Sequence, residues 1–466
     1  MASNGSTEVD QNSSTEDHSF DLHRAAFHGD VDEVREVLET VKLDDLKSQD
    51  KHGNTALHIA VMLGYKAVIE ELVKHGSPVK EKNNLGWTPL DEAISYGDRD
   101  TIILLIKTLR GQIAAGIVER RQELIRSLVA LEDFHINLRW EFHTWVPFLS
   151  RMLPSDVCRI YKKGASIRVD SSIGNFQEMK WSRGDKSFIF NGEDTNSSLT
   201  MVILDNEKKE FERKKLLRSD DNHGALHERV TDLMSHPIVY ANMSTKPITV
   251  SRALAGWWFF KGPRSEQVGE YNTDVYDITD LILISRKRRD HLTPEQIKEF
   301  EHLQKKLESG RIEEKDFEDD KEDRDLIPSM PPPEKPTITW DQYCHAPTDQ
   351  DPPHLGRPMD LKVDKKHFKA SVWMAEECPI KLQKLLDILE VIVPYKHFHK
   401  LRQFVKNKIP EGFPVKLEIP VFPTVTAIVT MEEYKTCDTQ DSKFLIPRDY
   451  TKFEPKENED NCKASS

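Results

Sequence analysis

This chain of 466 residues contains histidines and cysteines, whose side chains could hold a metal ion or act as nucleophiles. Their spacing in the sequence argues against both roles. Cys344, His345 and His354 lie in a proline-rich stretch, where metal ligands would not be held rigidly. His397 and His399 are two residues apart in a predicted helix, so their side chains would point in different directions. The five cysteines include no CxxC pair, which indicates neither a zinc site nor a disulfide framework and favours a reducing compartment.

Sequence motifs for catalysis are also missing. The chain contains no GxGxxG, GxxxxGK[ST], HExxH or GxSxG pattern. Its 79 acidic residues are too numerous for any pair of carboxylates to mark a general acid–base site. We therefore predict a protein that is not an enzyme and that has no catalytic residue, no cofactor and no metal site.

Aromatic residues are concentrated at residues 256–260, which read GWWFF. Such a cluster can fill a core, line a partner-binding groove in which Trp and Phe serve as anchors, or touch lipid. Trp257, Trp258 and Phe259 are therefore candidate partner-binding residues.

Four consecutive cations, Arg286, Lys287, Arg288 and Arg289, end an apolar strand-like run that begins at residue 281. This pattern fits a solvated strand end, a nuclear signal, or contact with anionic lipid headgroups or an acidic loop of a partner. We consider these residues a possible patch for an anionic membrane surface.

The total charge limits the class of partner. Lys and Arg number 66 against 79 Asp and Glu, a net charge of −13, so nucleic-acid binding through phosphate contacts is not expected. The first 19 residues contain no Lys or Arg, which argues against a signal peptide, and no apolar run reaches about 18 residues. We expect a cytosolic protein whose membrane contacts, if it makes any, are peripheral.

Three similar segments begin at Leu22, Leu57 and Leu90, with offsets of 35 and 33 residues. The second and third resemble the ankyrin signature T-P-L-H-x-A, although Asp91 replaces the signature His in the third. Thr55 and Thr88 are predicted to cap the first helix of their repeat. Because motif, period and helical spacing of apolar residues agree, we predict ankyrin repeats over about residues 20–109.

Ankyrin repeats bind proteins far more often than they catalyse reactions, usually through their hairpin tips and first helices. The candidate contact residues at these positions are His52, Asn54, Asn84, Trp87 and Tyr96. Three repeats are about the minimum for a stable array, so we also expect this module to pack against the residues that follow it.

The rest of the chain reads as mixed α and β structure. A helix is predicted over 111–132, strands over 134–145 and 166–285, a helix over 291–310, and two proline-containing strands after residue 412, at least one at a sheet edge. An acidic run followed by prolines predicts an exposed linker or stiff spacer.

We therefore predict an α+β fold, in which an N-terminal ankyrin-repeat α-solenoid precedes a β-rich α+β domain with C-terminal helices. The predicted parts are a disordered tail (1–19), ankyrin repeats (20–109), a helix and β-rich region (110–310), an acidic and Pro-rich linker (311–358), a strand-helix-helix-strand part of the same region (359–450) and a second tail (451–466).

Several long stretches resemble the ankyrin repeat domain-containing protein 13 family. They include WEFHTWVPFLSRMLPSDVCRIYKKGASIRVD (140–170), GWWFFKG (256–262) and LLDILEVIVPYKHFHKLRQFV (385–405). The resemblance implies ankyrin repeats joined to a region known as the GPCR-chaperone domain, with no established catalytic residues.

Members of this family divide into two groups. Some end in ubiquitin-interacting motifs and bind ubiquitinated cargo during endocytosis, but no acidic stretch followed by LxxAxxxS occurs here, so ubiquitin binding is not expected. Resemblance to the group without these motifs implies a peripheral protein on the cytoplasmic side of the endoplasmic reticulum membrane. It would assist the folding of G-protein-coupled receptors through their cytoplasmic loops or tails and control their exit. An endocytic adaptor or scaffold for ubiquitinated membrane receptors is the alternative.

Overall fold

A computed structural model describes residues 20–177, 180–192, 200–215, 223–244, 248–256, 261–311, 327–347, 353–379, 382, 409–422, 424–436 and 439–453. The predicted N-terminal tail, the acidic run, residues 454–466 of the second predicted tail and nearly all of the two predicted C-terminal helices lie outside these residues. Thr451 and Lys452, predicted to belong to the second tail, form a short strand instead, because they pair with a neighbouring strand of the sheet. Within them the chain combines an N-terminal helical array with one large sheet, which confirms the predicted α+β class.

Ten α-helices occur in the described part of the chain. They are α1 (Asp21–His28), α2 (Val31–Thr40), α3 (Ala56–Leu63), α4 (Lys66–Lys74), α5 (Pro89–Tyr96), α6 (Arg99–Val129), α7 (Pro147–Met152), α8 (His223–Ser235), α9 (Pro294–Ser309) and α10 (Trp340–His345).

Helices α1 to α6 form three helix–turn–helix repeats with the predicted caps. Thr55 and Thr88 both form capping boxes: the hydroxyl accepts a hydrogen bond from the N–H three residues later, whose side chain accepts one from the cap N–H. Gly97 ends α5 at φ 86°, a left-handed conformation that glycine adopts without steric cost. The first helices of the second and third repeats therefore begin at the predicted capping residues, and α5 ends at a glycine.

The helix predicted over 111–132 is not a separate element. It is the second half of α6, one helix of 31 residues that runs from the third repeat to Val129 and bends by 42° between Gly116 and Arg121. Neither proline nor a capping residue interrupts this stretch, and Gly111 and Gly116 cost a helix only about 1 kcal/mol each. The boundary predicted between residues 109 and 110 therefore falls inside a helix.

Sixteen strands are present among the described residues. They are β1 (Phe134–Thr144), β2 (Ser155–Lys163), β3 (Ser166–Gln177), β4 (Lys180–Asn191), β5 (Thr200–Asp205), β6 (Glu210–Lys215), β7 (Ile238–Ser244), β8 (Thr249–Arg252), β9 (Leu254–Ala255), β10 (Gly262–Pro263), β11 (Ser265–Val268), β12 (Tyr271–Arg288), β13 (Leu361–Ala375), β14 (Phe413–Phe422), β15 (Val425–Thr436) and β16 (Thr451–Lys452).

Fourteen of these strands join one sheet in the order β11-β12-β13-β14-β15-β1-β2-β3-β4-β5-β6-β16, with β7 and β8 also paired to β12. The β16–β6 pair is parallel and the other pairs are antiparallel. Strands β9 and β10 form a separate hairpin. The β-rich prediction is therefore correct, but strands from distant parts of the sequence are neighbours.

Two details of the predicted sheet need correction. Strand β14 lies between β13 and β15 rather than at an edge, and its Pro414 and Pro420 sit beside register shifts, where a missing N–H is tolerated. The strands predicted up to residue 285 end with one long strand, β12, which continues to Arg288. Its pairing with β13 skips from Ile278 to Leu281 around Asp280, which has φ 60°.

The proline-rich stretch predicted as an exposed linker is attached to the repeats at several points in the part that the structure describes, with exposed residues between them. Helix α10 lies within it, and its Tyr343 and Leu355 join the buried core of the repeats. Apolar anchors spaced along a proline-rich segment explain the difference. The amino-acid composition of the segment indicated a linker, but composition does not reveal that individual apolar side chains such as Tyr343 and Leu355 attach it to the repeats.

Candidate functional site

The hairpin tips of the repeats are built around a single acidic or amide side chain each. In the tip before α3, Asp50 Oδ1 accepts hydrogen bonds from the N–H groups of His52 (2.8 Å) and Asn54 (2.9 Å). Asn83 organises the next tip in the same way. One oxygen of Asp50 thus shapes the tip, and its Oδ2 remains available for another contact.

Tyr343 from α10 contacts this second oxygen of Asp50. Its hydroxyl donates to Asp50 Oδ2 at 2.5 Å and accepts from Asn54 Nδ2 at 2.8 Å, and the residue is only 1% exposed. His52 Nε2 lies 3.2 Å from the Tyr343 carbonyl oxygen. Burial and the nearby carboxylate raise the pKa of the Tyr343 phenol, so the hydroxyl stays protonated and keeps donating.

Aromatic rings surround Tyr343 on the face of the first helices. Its ring lies 5.8 Å from that of Phe27 and stacks 5.7 Å from that of Trp340, which is itself 5.4 Å from Phe27. Lys51 Nζ donates to the Ala346 carbonyl oxygen beyond the end of α10, at 2.5 Å. The tip and first-helix face therefore binds a helical turn of the same chain through both polar and aromatic contacts.

A second contact holds the same segment at the third repeat. The Met330 N–H donates to the Gly97 carbonyl at 2.8 Å, and Arg99 Nη1 donates to the Ile327 carbonyl at 2.8 Å. A Cβ added at Gly97 would lie 2.7 Å from Met330. Because such a distance is not tolerated, only glycine permits this close approach.

The four cations at 286–289 join the repeats to the sheet and do not form an exposed patch. Arg288 is 2% exposed, and its guanidinium donates to Glu92 (2.7 Å), Asp290 (3.0 Å) and the Ser95 hydroxyl (2.8 Å). Ser95 in turn donates to the other oxygen of Asp290. Burial raises the pKa of the Glu92 carboxyl, although the charge of Arg288 opposes this shift.

The other three cations also have partners within the chain. Arg286 donates to the Leu85 carbonyl in the tip organised by Asn83, Lys287 to Gln304, and Arg289 to Glu301 and Asp360. Strand β12 ends against the third repeat, so side chains that would be solvated at a free strand end are satisfied at this junction.

Trp87, predicted to face a partner, belongs to the same junction. It is fully buried, with the Arg288 guanidinium 5.9 Å from its ring and the Tyr240 ring of β7 6.3 Å away. This packing supports the expectation that the repeats lean on the residues that follow them.

A histidine in each of the first two repeats connects that repeat to the hairpin tip that follows it. His58 Nδ1 accepts from the Thr55 N–H, so Nε2 carries the proton and donates to the Trp87 carbonyl at 3.1 Å. Burial lowers the pKa of His58 to about 4. Asp91 takes this position in the third repeat, which no further tip follows, and the Arg288 contacts replace the missing link.

The remaining candidate residues have different environments. His52 and Asn54 are buried beneath Tyr343, Asn84 is exposed and bonded to the Lys51 carbonyl, and Tyr96 is half-buried. Trp257, Trp258 and Phe259 lie outside the described residues, as do His397 and His399.

Sequence reasoning missed Tyr343, Asp50 and the Arg288–Glu92 pair. One local signal was present: Thr339 and Gln342 form a capping box that marks the start of α10 inside the proline-rich stretch. No comparable signal reveals a contact between residues almost two hundred positions apart.

The described residues contain no group of three or more His, Cys, Asp or Glu side chains arranged to hold a metal ion. Among them, no single helix is long and apolar enough to cross a membrane; the two halves of α6, Arg99–Gly116 and Arg121–Val129, meet these criteria only together, across a bend of 42°.

Comparison with known proteins gives two family matches. Residues 22–114 match ankyrin repeats (3 copies), and residues 168–466 match the model described as ANKRD13 C-terminal. The chain is 45% identical to ankyrin repeat domain-containing protein 13C-B of Xenopus laevis over 92% of this chain and 82% of that protein. It is 44% identical to human ankyrin repeat domain-containing protein 13C, over 92% and 77%. Identity to human ankyrin repeat domain-containing protein 13A is 32%, over 91% and 72%.

Proposed function

Because the chain belongs to the ankyrin repeat domain-containing protein 13 family, we propose that it is a non-enzymatic chaperone or retention factor for G-protein-coupled receptors. It would act at the cytoplasmic side of the endoplasmic reticulum membrane and hold receptors until they are ready to leave. Ankyrin repeats indicate protein–protein interaction, which is the coarser function. The receptor class and the location are the proposed part.

The observation that carries this proposal is the contact between the repeats and α10. The first-helix and tip face binds a short peptide segment through a hydroxyl, backbone carbonyls and stacked rings. Loops and tails of membrane receptors are peptide segments of this kind. A site that holds them by such contacts needs no nucleotide and no bond-making chemistry.

Charge supports the choice of client. The chain carries a net charge of −13, whereas cytoplasmic loops of membrane proteins carry an excess of Lys and Arg. Electrostatic attraction between the two would favour encounter and weak, repeated binding, as expected for a factor that must release its client.

Relative identity supports the same branch of the family. The chain is 44–45% identical to the two 13C proteins and 32% identical to human 13A over similar lengths. The function implied for the 13C-like group is therefore the one to test.

Co-precipitation from detergent-solubilised cells that express a tagged receptor tests the proposal. We expect the chain to capture the immature, endoglycosidase-sensitive receptor, and its depletion to change the amount of receptor at the cell surface. A single-span membrane protein with an acidic tail is the matched negative control. Capture of only mature, ubiquitinated receptor would replace the proposal with the endocytic-adaptor function, and unchanged maturation after depletion would refute it.

A further inference from the structure

We propose that the face formed by Phe27, Asp50 and Asn54 is a recognition site for a helical turn that carries Trp and Tyr three residues apart. The chain's own turn, Trp340 to Tyr343, fills this site in cis. A client segment with the same two side chains must displace it. That last step rests on the proposed function, whereas the recognition site itself does not.

The polar part of the site is specific for a phenol. The Tyr343 hydroxyl both donates to a carboxylate and accepts from an amide, so a phenylalanine at this position would leave two polar groups without their partner. A site built to hydrogen-bond a hydroxyl rejects the analogue that lacks it, by about tenfold or more. The site therefore distinguishes Tyr from Phe as well as aromatic from aliphatic residues.

The site is also formed independently of its occupant. Asp50 Oδ1 is fixed by two backbone N–H groups of its own tip, and Asn54 Oδ1 accepts from Asn83 Nδ2 at 3.1 Å. These bonds lie within and between the hairpin tips and do not involve α10. An incoming turn would therefore meet preorganised groups, which lowers the cost of binding.

The turn that occupies the site can leave without detaching its neighbours. Helix α10 has six residues, too few to be stable alone in water. On either side the chain is fastened elsewhere: Met330 to the Gly97 carbonyl, and Arg357 to the Ser95 and Tyr96 carbonyls. Release of α10 therefore requires only local opening between these two anchors.

Because both anchors persist, the released turn stays close to its site. Its effective concentration is on the order of millimolar, so a peptide in solution competes at a disadvantage. Replacing the two aromatic side chains of the turn removes this competition, and a peptide supplied in trans then binds more tightly.

The test uses the full chain and a fluorescein-labelled peptide of residues 334–347, EKPTITWDQYCHAP, under reducing conditions. Fluorescence anisotropy should show the peptide binding at least tenfold more tightly to Trp340→Ala/Tyr343→Ala than to the wild type. The same peptide with Phe in place of Tyr343 is the matched control and should bind at least tenfold more weakly. Equal binding of the two peptides would overturn the proposal.

A more conservative variant provides a second test in case the double substitution prevents folding. Tyr343→Phe keeps the ring and its packing, and we expect it to bind the tyrosine peptide more tightly than the wild type does. Circular dichroism should show an unchanged spectrum for each variant. Failure of both folded variants to bind the peptide more tightly than the wild type would refute occupation in cis.

Receptor capture separates this inference from the proposed function. If both hold, Trp340→Ala/Tyr343→Ala captures more immature receptor than the wild type. If peptide binding improves while receptor capture is unchanged, the recognition site stands and its use for receptor clients is refuted.

Discussion

Removal of the Arg288 charge should break the junction between the repeats and the sheet. In Arg288→Met the apolar stem is kept, but Glu92 and Asp290 lose the guanidinium that lies 2.7 and 3.0 Å from them. Their side chains are 3% and 1% exposed, so water cannot replace it. Loss of one partner from a buried ion pair costs about 3–5 kcal/mol, and two stranded carboxylates favour the upper end of that range.

Urea unfolding at pH 7 measures this loss of unfolding free energy, and hydrogen–deuterium exchange in α5 and β12 locates it. Arg289→Met, at the next residue and just past the end of β12, is the matched control. Arg289 contacts Glu301 and Asp360, whose carboxylates are 38% and 44% exposed, so its loss should cost less than about 1 kcal/mol.

The defect should also depend on pH in one direction. Burial raises the pKa of Glu92, and loss of Arg288 raises it further, so the folded variant gains stability when this carboxyl takes up a proton. The difference between variant and wild type should therefore shrink as pH falls from 7 towards 5. Glu92→Gln in the Arg288→Met background should recover part of the loss at pH 7. Equal losses for the Arg288 and Arg289 variants, both independent of pH, would refute the reasoning.

Local geometry predicts the outcome of four other substitutions. His58→Asn should reduce acid sensitivity. Burial lowers the pKa of His58 to about 4, so between about pH 6.5 and 4 the unfolded chain binds a proton that the folded chain does not. This costs the wild type about 2 kcal/mol of unfolding free energy between pH 7 and 5, which urea unfolding at these two pH values can measure. Gly97→Ala should destabilise more than Gly76→Ala, since both glycines have φ near 90° but a Cβ meets Met330 at 2.7 Å only at Gly97, and limited proteolysis after residue 327 reports the difference. Tyr343→Phe should cost about 1–3 kcal/mol, because a carboxylate and a buried amide lose their shared hydroxyl; a thermal midpoint equal to that of the wild type would contradict this.

The repeats could be predicted from the sequence because their signals are local. Thr55, Thr88 and the glycines that end the first helices act within a few residues, and each is where the motif places it. Strand β1 was predicted equally well, since its apolar and polar residues alternate. Such patterns depend only on the chemistry of neighbouring residues.

The order of the sheet and the contacts of the repeats could not be predicted in the same way. Strand β1 pairs with β15, almost three hundred residues away, and Arg288 reaches Glu92 across 196 positions. A run of cations ending a strand is compatible with solvent, lipid or a buried acidic cluster, and only the tertiary structure selects among them. Tyr343 was overlooked for a different reason: the composition of its segment outweighed the capping box that begins α10.

The junction at Arg288 also determines how the chain can be dissected. The two family matches end at residue 114, inside α6, and begin at residue 168, inside β3, so the units recognised by sequence similarity cut through helices and strands. A fragment that lacks the repeats would uncover the apolar residues of α8 together with Tyr343 and Leu355, which pack against the repeats in the intact chain. Such a fragment would bind hydrophobic surfaces nonspecifically. Its capture of a membrane protein would then reflect nonspecific hydrophobic binding rather than specific recognition. Single substitutions in the intact chain are therefore the sound way to map its partners, because the repeats and the later residues share buried contacts.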